Sequence, residues 1–131
     1  MGVFMFEEDI EIELKKSKLT MRGKLYNRDA KITALCWHGW LDNCLSFEKL
    51  ARALPELKIY ALDIPGHGLS DHIPEGMNYF YHQFMLWAAE WIESTEEDDL
   101  VLLGHSLGAT IFSMTIPLVG GKVKSFISIV C

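Results

Sequence analysis

The tightest constraint in this sequence is a turn. An unbroken apolar run, Leu100 to Leu103, meets Gly104-His105-Ser106-Leu107-Gly108, and an apolar segment from Leu107 to Leu118 follows at once. The run has the length of a buried strand and the segment that of a helix, so the chain must turn sharply at Ser106. A turn that tight puts strain on the residue at its apex and leaves its side chain exposed. Gly104 and Gly108 leave room for strand and helix to approach closely, and Ala109 extends the small patch. Leu107 falls at the helix N-terminus, where backbone N–H groups lack intrahelical partners and the dipole favours negative charge.

The remaining pattern fits around this turn. Ile10, Ile12 and Leu14 alternate with Glu11, Glu13 and Lys15, the period of a half-buried strand, and Leu19 to Tyr26 reads as its hairpin partner. After a turn at Asn27-Arg28-Asp29, Ile32 to Trp37 is nearly all apolar, as a strand covered on both faces would be. The spacing predicts a helix over Ser46 to Leu54, ended by Pro55, and a strand over Leu57 to Leu62. Phe80, Phe84, Trp87, Ala88, Trp91 and Ile92 recur at helical spacing and predict an amphipathic helix from Tyr79 to Ser94, its aromatic stripe serving the core. Glu96 to Asp99 is a solvated acidic loop, Gly120-Gly121 a turn, and Val123 to Val130 a final strand. After the hairpin, strands and helices alternate, which argues for an α/β fold with a mainly parallel sheet. No repeat, low-complexity stretch or linker divides residues 1–131.

Composition excludes several functions. With half its 131 residues apolar, the chain can offset its ordering entropy and is not a disordered type. Eighteen acidic against 12 basic residues leave a net charge of −6 and no basic face for nucleic acid. Leu100 to Gly121 carries no formal charge and raises the question of a membrane span, but His105, Ser106, Pro117 and four glycines interrupt it. Cys36, Cys44 and Cys131 are an odd number without framework spacing, and Met1 to Phe6 runs straight into Glu7, Glu8 and Asp9, unlike an export signal. The expected location is therefore intracellular and cytoplasmic; a peroxisomal tail is absent from Ile129-Val130-Cys131 but is compatible with a longer form.

Three motifs, each at a strand end, together resemble the first half of the α/β-hydrolase fold. They are Gly104 to Gly108, Trp37-His38-Gly39-Trp40 after the third strand, and Asp63-Ile64-Pro65-Gly66-His67-Gly68-Leu69-Ser70 after the fourth. The run His38 to Asn43 followed by Ser46-Phe47 is similar to the serine-hydrolase-like subgroup. The resemblance implies an α/β-hydrolase sheet with an N-terminal antiparallel hairpin, cut off after about the sixth strand, so that residues 1–131 form a partial domain. It also implies Ser106 as nucleophile and the backbone N–H groups of Trp40 and Leu107 as the oxyanion hole. Gly104, His105 and Gly108 would support the elbow, and His38 and Gly39 the oxyanion loop. The Trp40 side chain either walls the substrate pocket or belongs to the core. Serine at position 106 favours an acyl-enzyme route over the chemistry of family members whose nucleophile is aspartate.

Two of the other histidines are given structural roles. His105 is expected to turn its side chain from the reacting face, and His38 to organise its loop by hydrogen bonding. His67, His72 and His82 share a stretch with Asp63 and Asp71 without zinc or facial-triad spacing, so no metal is expected. Gly66-His67-Gly68 begins like a dinucleotide fingerprint, but Asp71 holds the third glycine position and would repel a pyrophosphate. No cofactor is expected.

In α/β-hydrolases the triad acid and then the histidine follow the serine along the chain. Residues 107–131 contain no Asp, Glu or His. Without a base, Ser106 is a weak nucleophile at neutral pH. The favoured reading is therefore part of a serine hydrolase for a carboxylic ester or similar small acyl substrate, inactive as these residues alone. The alternative is a non-catalytic, truncated binding module of the same fold. The last strand's outer edge would lie open, so the isolated chain should self-associate or require the missing half.

Overall fold

The computed structural model describes residues 6–129. Strands β1 (Glu7–Leu14) and β2 (Leu19–Tyr26) form the expected antiparallel hairpin, in register from Glu7 opposite Tyr26 to Leu14 opposite Leu19. β3 (Ile32–Trp37), β4 (Leu57–Leu62), β5 (Leu100–His105) and β6 (Val123–Ile129) complete one sheet in the order β1-β2-β4-β3-β5-β6. β4 is antiparallel to β2, whereas the β3–β4, β3–β5 and β5–β6 pairs are all parallel. Helices α1 (Glu48–Ala53), α2 (Tyr81–Ser94) and α3 (Leu107–Val119) connect them, giving the α/β alternation read from the sequence.

β3 shows why its residues form a central strand. Leu35 and Trp37 point to one face and join Trp91 and Phe112 from α2 and α3; Ala34 and Cys36 point to the other, with Phe47 and Ala51 from the α1 side. The Trp37 ring stacks on Phe112 at 5.6 Å and tilts against Trp91 at 5.5 Å, and all three side chains are fully buried. Phe84, Trp87 and Trp91 of the expected aromatic stripe are thus core, whereas Phe80, the residue that caps α2, is 49% exposed.

Element limits differ from the expectation in three places. The stretch Ser46 to Leu54 is not one helix: Cys44–Phe47 is a 3-10 turn, because the Asn43 side chain accepts the Leu45 N–H (2.9 Å) and tightens the entry before α1 begins. α2 starts at Tyr81 rather than Tyr79. Phe80 is extended with its N–H on the Gln83 side chain (3.1 Å), and the Tyr79 hydroxyl instead accepts the Ile73 N–H (3.0 Å), holding the preceding loop. β5 continues past Leu103 to His105, where His105 still pairs with Ile129, so the turn is compressed into Ser106 alone. Val130 and Cys131 of the final expected strand lie outside the described residues, as do Met1 to Met5. The uncharged stretch from Leu100 to Gly121 resolves into β5 and α3, and no helix among the described residues is long and apolar enough to cross a membrane.

Candidate functional site

The three motifs meet at the carboxyl ends of β3, β4 and β5. Ser106 sits between β5 and α3 at φ 52°, ψ −109°, a conformation a non-glycine residue adopts only where its surroundings impose it. Its surroundings are the two glycines. A Cβ on Gly104 would lie 2.4 Å from Ala109 Cα, and one on Gly108 would lie 2.2 Å from the Trp37 carbonyl oxygen. Strand and helix are therefore in backbone contact on both sides of the serine.

The loop after β3 is fastened to this elbow. Gly108 donates its N–H to the His38 carbonyl (3.1 Å), and Gly39 lies so close that an added Cβ would be 3.4 Å from Ser106 Cβ and 3.3 Å from the His105 ring. Gly39 to Asp42 close a turn through the Asp42 N–H on the Gly39 carbonyl (3.2 Å), with Leu41 at φ 60°. This turn carries Trp40, whose side chain is 60% exposed and so is not a core tryptophan. Asp42 accepts the Asn43 N–H and the Ser46 hydroxyl, which hold its carboxyl below the usual range.

His38 bonds through both ring nitrogens. Its ring is fully buried; Nε2 accepts the Ile64 N–H (3.0 Å), which leaves the proton on Nδ1 to donate to the Gly39 carbonyl (2.7 Å). Burial pushes its pKa down, partly offset by that carbonyl. Both nitrogens are committed, so this ring ties the β3 loop to the β4 loop in one tautomer.

The loop after β4 is built on Asp63. One carboxylate oxygen accepts the Cys44 N–H (2.7 Å) and the other the Leu69 N–H (2.9 Å), so a single buried carboxylate clamps the two loops together. Gly68, at φ 49°, must be glycine here: a Cβ would fall 2.2 Å from Asp63 Oδ2. Asp71 leaves the loop to bind the Thr20 N–H and Arg22, and the Arg22 guanidinium holds its carboxyl below the usual range. The Gly66-to-Asp71 segment is thus a sheet-capping loop. His67 lies inside it, 7% exposed, between the rings of His38 (5.1 Å) and Trp40 (5.3 Å). Sequence reasoning gave His67 no role, and only tertiary packing reveals its place beside the loop.

Beside Ser106 opens a cavity of about 550 Å³, lined by His105, Ser106, Thr110 and Ser113 from the elbow side and Phe126 and Ser128 from β6. The His105 ring lies against Gly39, at the join of the elbow and the β3 loop. Among the described residues no three His, Cys, Asp or Glu side chains gather as a metal would require. Cys36 and Cys44 are unpaired and buried, and burial raises the Cys44 thiol to about 12.

A mixed sheet whose fifth strand, in its parallel part, delivers a strained serine to a helix N-terminus, with a glycine loop packed against it, defines a class of hydrolase-type folds. Residues 35–130 match the alpha/beta hydrolase fold family, and the chain belongs to it. A Drosophila melanogaster protein named "Probable serine hydrolase" is 34% identical over 112 residues, 84% of this chain and 34% of its own length. A Danio rerio "Serine hydrolase-like protein" is 32% identical over 108 residues, 82% of this chain and 33% of its own. A "Putative esterase/lipase 3" of Mycoplasma pneumoniae is 28% identical over 86 residues, 66% of this chain and 31% of that protein. The crystal structure of a hypothetical protein from Pseudomonas aeruginosa superposes with a TM-score of 0.82 at 31% identity, covering 93% of this chain and 43% of that one. The chain thus spans about a third of the length of the curated relatives it matches.

Proposed function

We propose that Ser106 is the nucleophile of a serine hydrolase that cleaves a carboxylic ester or similar acyl substrate through an acyl-enzyme, with the N–H groups of Leu107 and Trp40 as oxyanion donors. The observation that carries this is Ser106 at positive φ on the strand-to-helix junction, with Gly39 in contact with it. The Leu107 N–H is in the first turn of α3, where intrahelical acceptors are lacking, and the dipole adds positive potential where an alkoxide would form. The names of the Drosophila and Mycoplasma relatives favour the same chemistry.

In the reaction a base takes the Ser106 hydroxyl proton as Oγ bonds to the acyl carbon. The carbonyl electrons move onto oxygen, and their return expels the alcohol, which takes the proton. Water then repeats the sequence and releases the acid. Two oxyanion donors contribute about 3 to 4 kcal/mol each to such a step. His38 is not the base, since its Nε2 lone pair is held by Ile64. Residues 107–131 supply no Asp, Glu or His. Because the acid and the histidine follow the serine along the chain in this fold, the base and its acid are assigned to chain outside these residues, acting at the cavity that Ser106 shares with Ser128 of β6.

The test is labelling by a fluorophosphonate. The longest polypeptide encoded with this chain should react at Ser106 and lose the label in Ser106→Ala, whereas the 131 residues alone should stay unlabelled. Label that persists in Ser106→Ala would overturn the assignment.

A further inference from the structure

We propose that His67 is a positioning residue for the turn that carries Trp40: its imidazole is the buried support on which the Trp40 indole rests, and it holds that turn in place only while the ring is uncharged. The inference rests on the reading of Trp40 as an oxyanion donor for its consequence in catalysis, but the support itself is independent of that reading.

The geometry is specific. His67 is 7% exposed, yet neither ring nitrogen has a hydrogen-bond partner among the described residues. The Pro65 and Ile64 carbonyls lie near enough to favour a protonated ring without meeting hydrogen-bond geometry, and burial outweighs them to push its pKa down. A buried polar ring without partners costs stability, so its retention needs a reason. The Trp40 indole meets the ring edge-on, at 79° and 5.3 Å, while the His38 ring, which fixes the Gly39 carbonyl, flanks it at 5.1 Å. His67 thus touches both ends of the segment from His38 to Trp40. Trp40 is 60% exposed, and its indole packs edge-on against His67.

Charging the ring would change this contact. An imidazolium beside neutral His38, and near His72, has the Asp63 carboxylate as its counter-charge among the described residues, and both oxygens of that carboxylate are already bonded to Cys44 and Leu69 N–H groups. The ring would move toward water, and Trp40 covers it.

Trp40 gives the readout directly. The other three tryptophans of residues 1–131, Trp37, Trp87 and Trp91, are buried, and subtracting the signal of Trp40→Phe isolates Trp40 from every other tryptophan present. In the longest polypeptide encoded with this chain, Trp40 emission and quenching should titrate with a midpoint below 6.5, the ordinary imidazole value. His67→Phe should keep the packing and abolish that titration. His67→Ala should leave Trp40 more quenchable at every pH and slow Ser106 labelling roughly tenfold, with His67→Phe restoring it, because small misplacements of reacting groups are costly. Absence of the titration, or its persistence in His67→Phe, overturns the proposal. Labelling at the parent rate in His67→Ala, with Trp40 displaced, overturns the positioning role while leaving Ser106 as nucleophile. If Ser106 never labels, the hydrolase reading fails, and the fluorescence still decides whether His67 supports Trp40.

Discussion

The absence of a single methyl group at position 108 lets the elbow form. Gly108 lies 2.2 Å, measured from an added Cβ, from a backbone oxygen of β3 that cannot move without breaking the β3–β5 ladder. Gly108→Ala should therefore cost about 3 kcal/mol or more, or prevent folding, as seen when overpacking meets rigid backbone. Gly121, with nothing within 4 Å, is the control: Gly121→Ala should change stability by no more than about 0.5 kcal/mol. Chemical denaturation of the two variants checks the pair. Acid sensitivity belongs to this scale too. His38 and His67 are both buried with pKa values held below 6.5, so the unfolded chain takes up protons there before the folded one does. Stability is then full above pH 6.5 and falls as the pH drops from there toward the folded values. The carboxylates held below their ordinary values, such as Asp71 and Asp42 with ordinary pKa 3.8, act only at lower pH. Melting temperature should fall as the pH drops below 6.5, and His67→Phe should flatten part of that slope. An unchanged melting temperature across this window would contradict the buried neutral rings.

Between elements, a carboxylate on one helix fastens the hairpin to the rest of the sheet. Glu90 of α2 accepts the Lys16 N–H (2.7 Å), the Ser17 N–H (3.2 Å) and the Ser17 hydroxyl (2.7 Å) at the β1–β2 turn. Charge-assisted bonds of this kind are worth about 1 to 3 kcal/mol together, so Glu90→Ala should lose about that much and Glu90→Gln less. Hydrogen exchange should show the Lys16 and Ser17 amides losing protection first. This link was not legible in the sequence, where Glu90 is one acid on the polar side of a helix and Ser17 one residue of a turn. What was legible is periodic or local. The alternation in β1, the apolar run of β3, the aromatic spacing of α2 and the Gly104-to-Gly108 turn each constrain neighbouring residues, and each element is present, with α2 beginning at Tyr81 and leaving Phe80 outside it. The order that puts β4 between β2 and β3, the 3-10 turn at Cys44 and the burial of His67 depend on contacts between residues far apart in the chain. No local pattern encodes those. The position of His38 after a strand is a local feature, whereas the partner of its ring, Ile64, lies 26 residues away and no local pattern points to it.

For the whole molecule, the sheet's two edges are unlike. The β1 edge bears Glu7, Asp9, Glu11 and Glu13, a charged strand that resists pairing with another sheet. The β6 edge is different. Among the described residues β6 pairs only with β5, and its stretch from Ser125 to Ile129 is uncharged. Ile127 lies opposite Leu103, on the face that packs against α1, and it is 49% exposed; Leu118 of α3 is 51% exposed. Lys124 is the single charge on this strand, at the end away from Ile127. An open apolar edge of this kind recruits another strand. A polypeptide of these 131 residues, studied by itself, should therefore sediment as dimers or larger species at micromolar concentrations. Ile127→Lys should shift it toward monomer, since a charge midway along an edge strand disfavours pairing with a second copy, where like charges would meet. Lys124→Ala should act in the opposite sense. A monodisperse monomer with a single cooperative melt would show that β6 is closed by its own twist and side chains, and that the edge needs no partner.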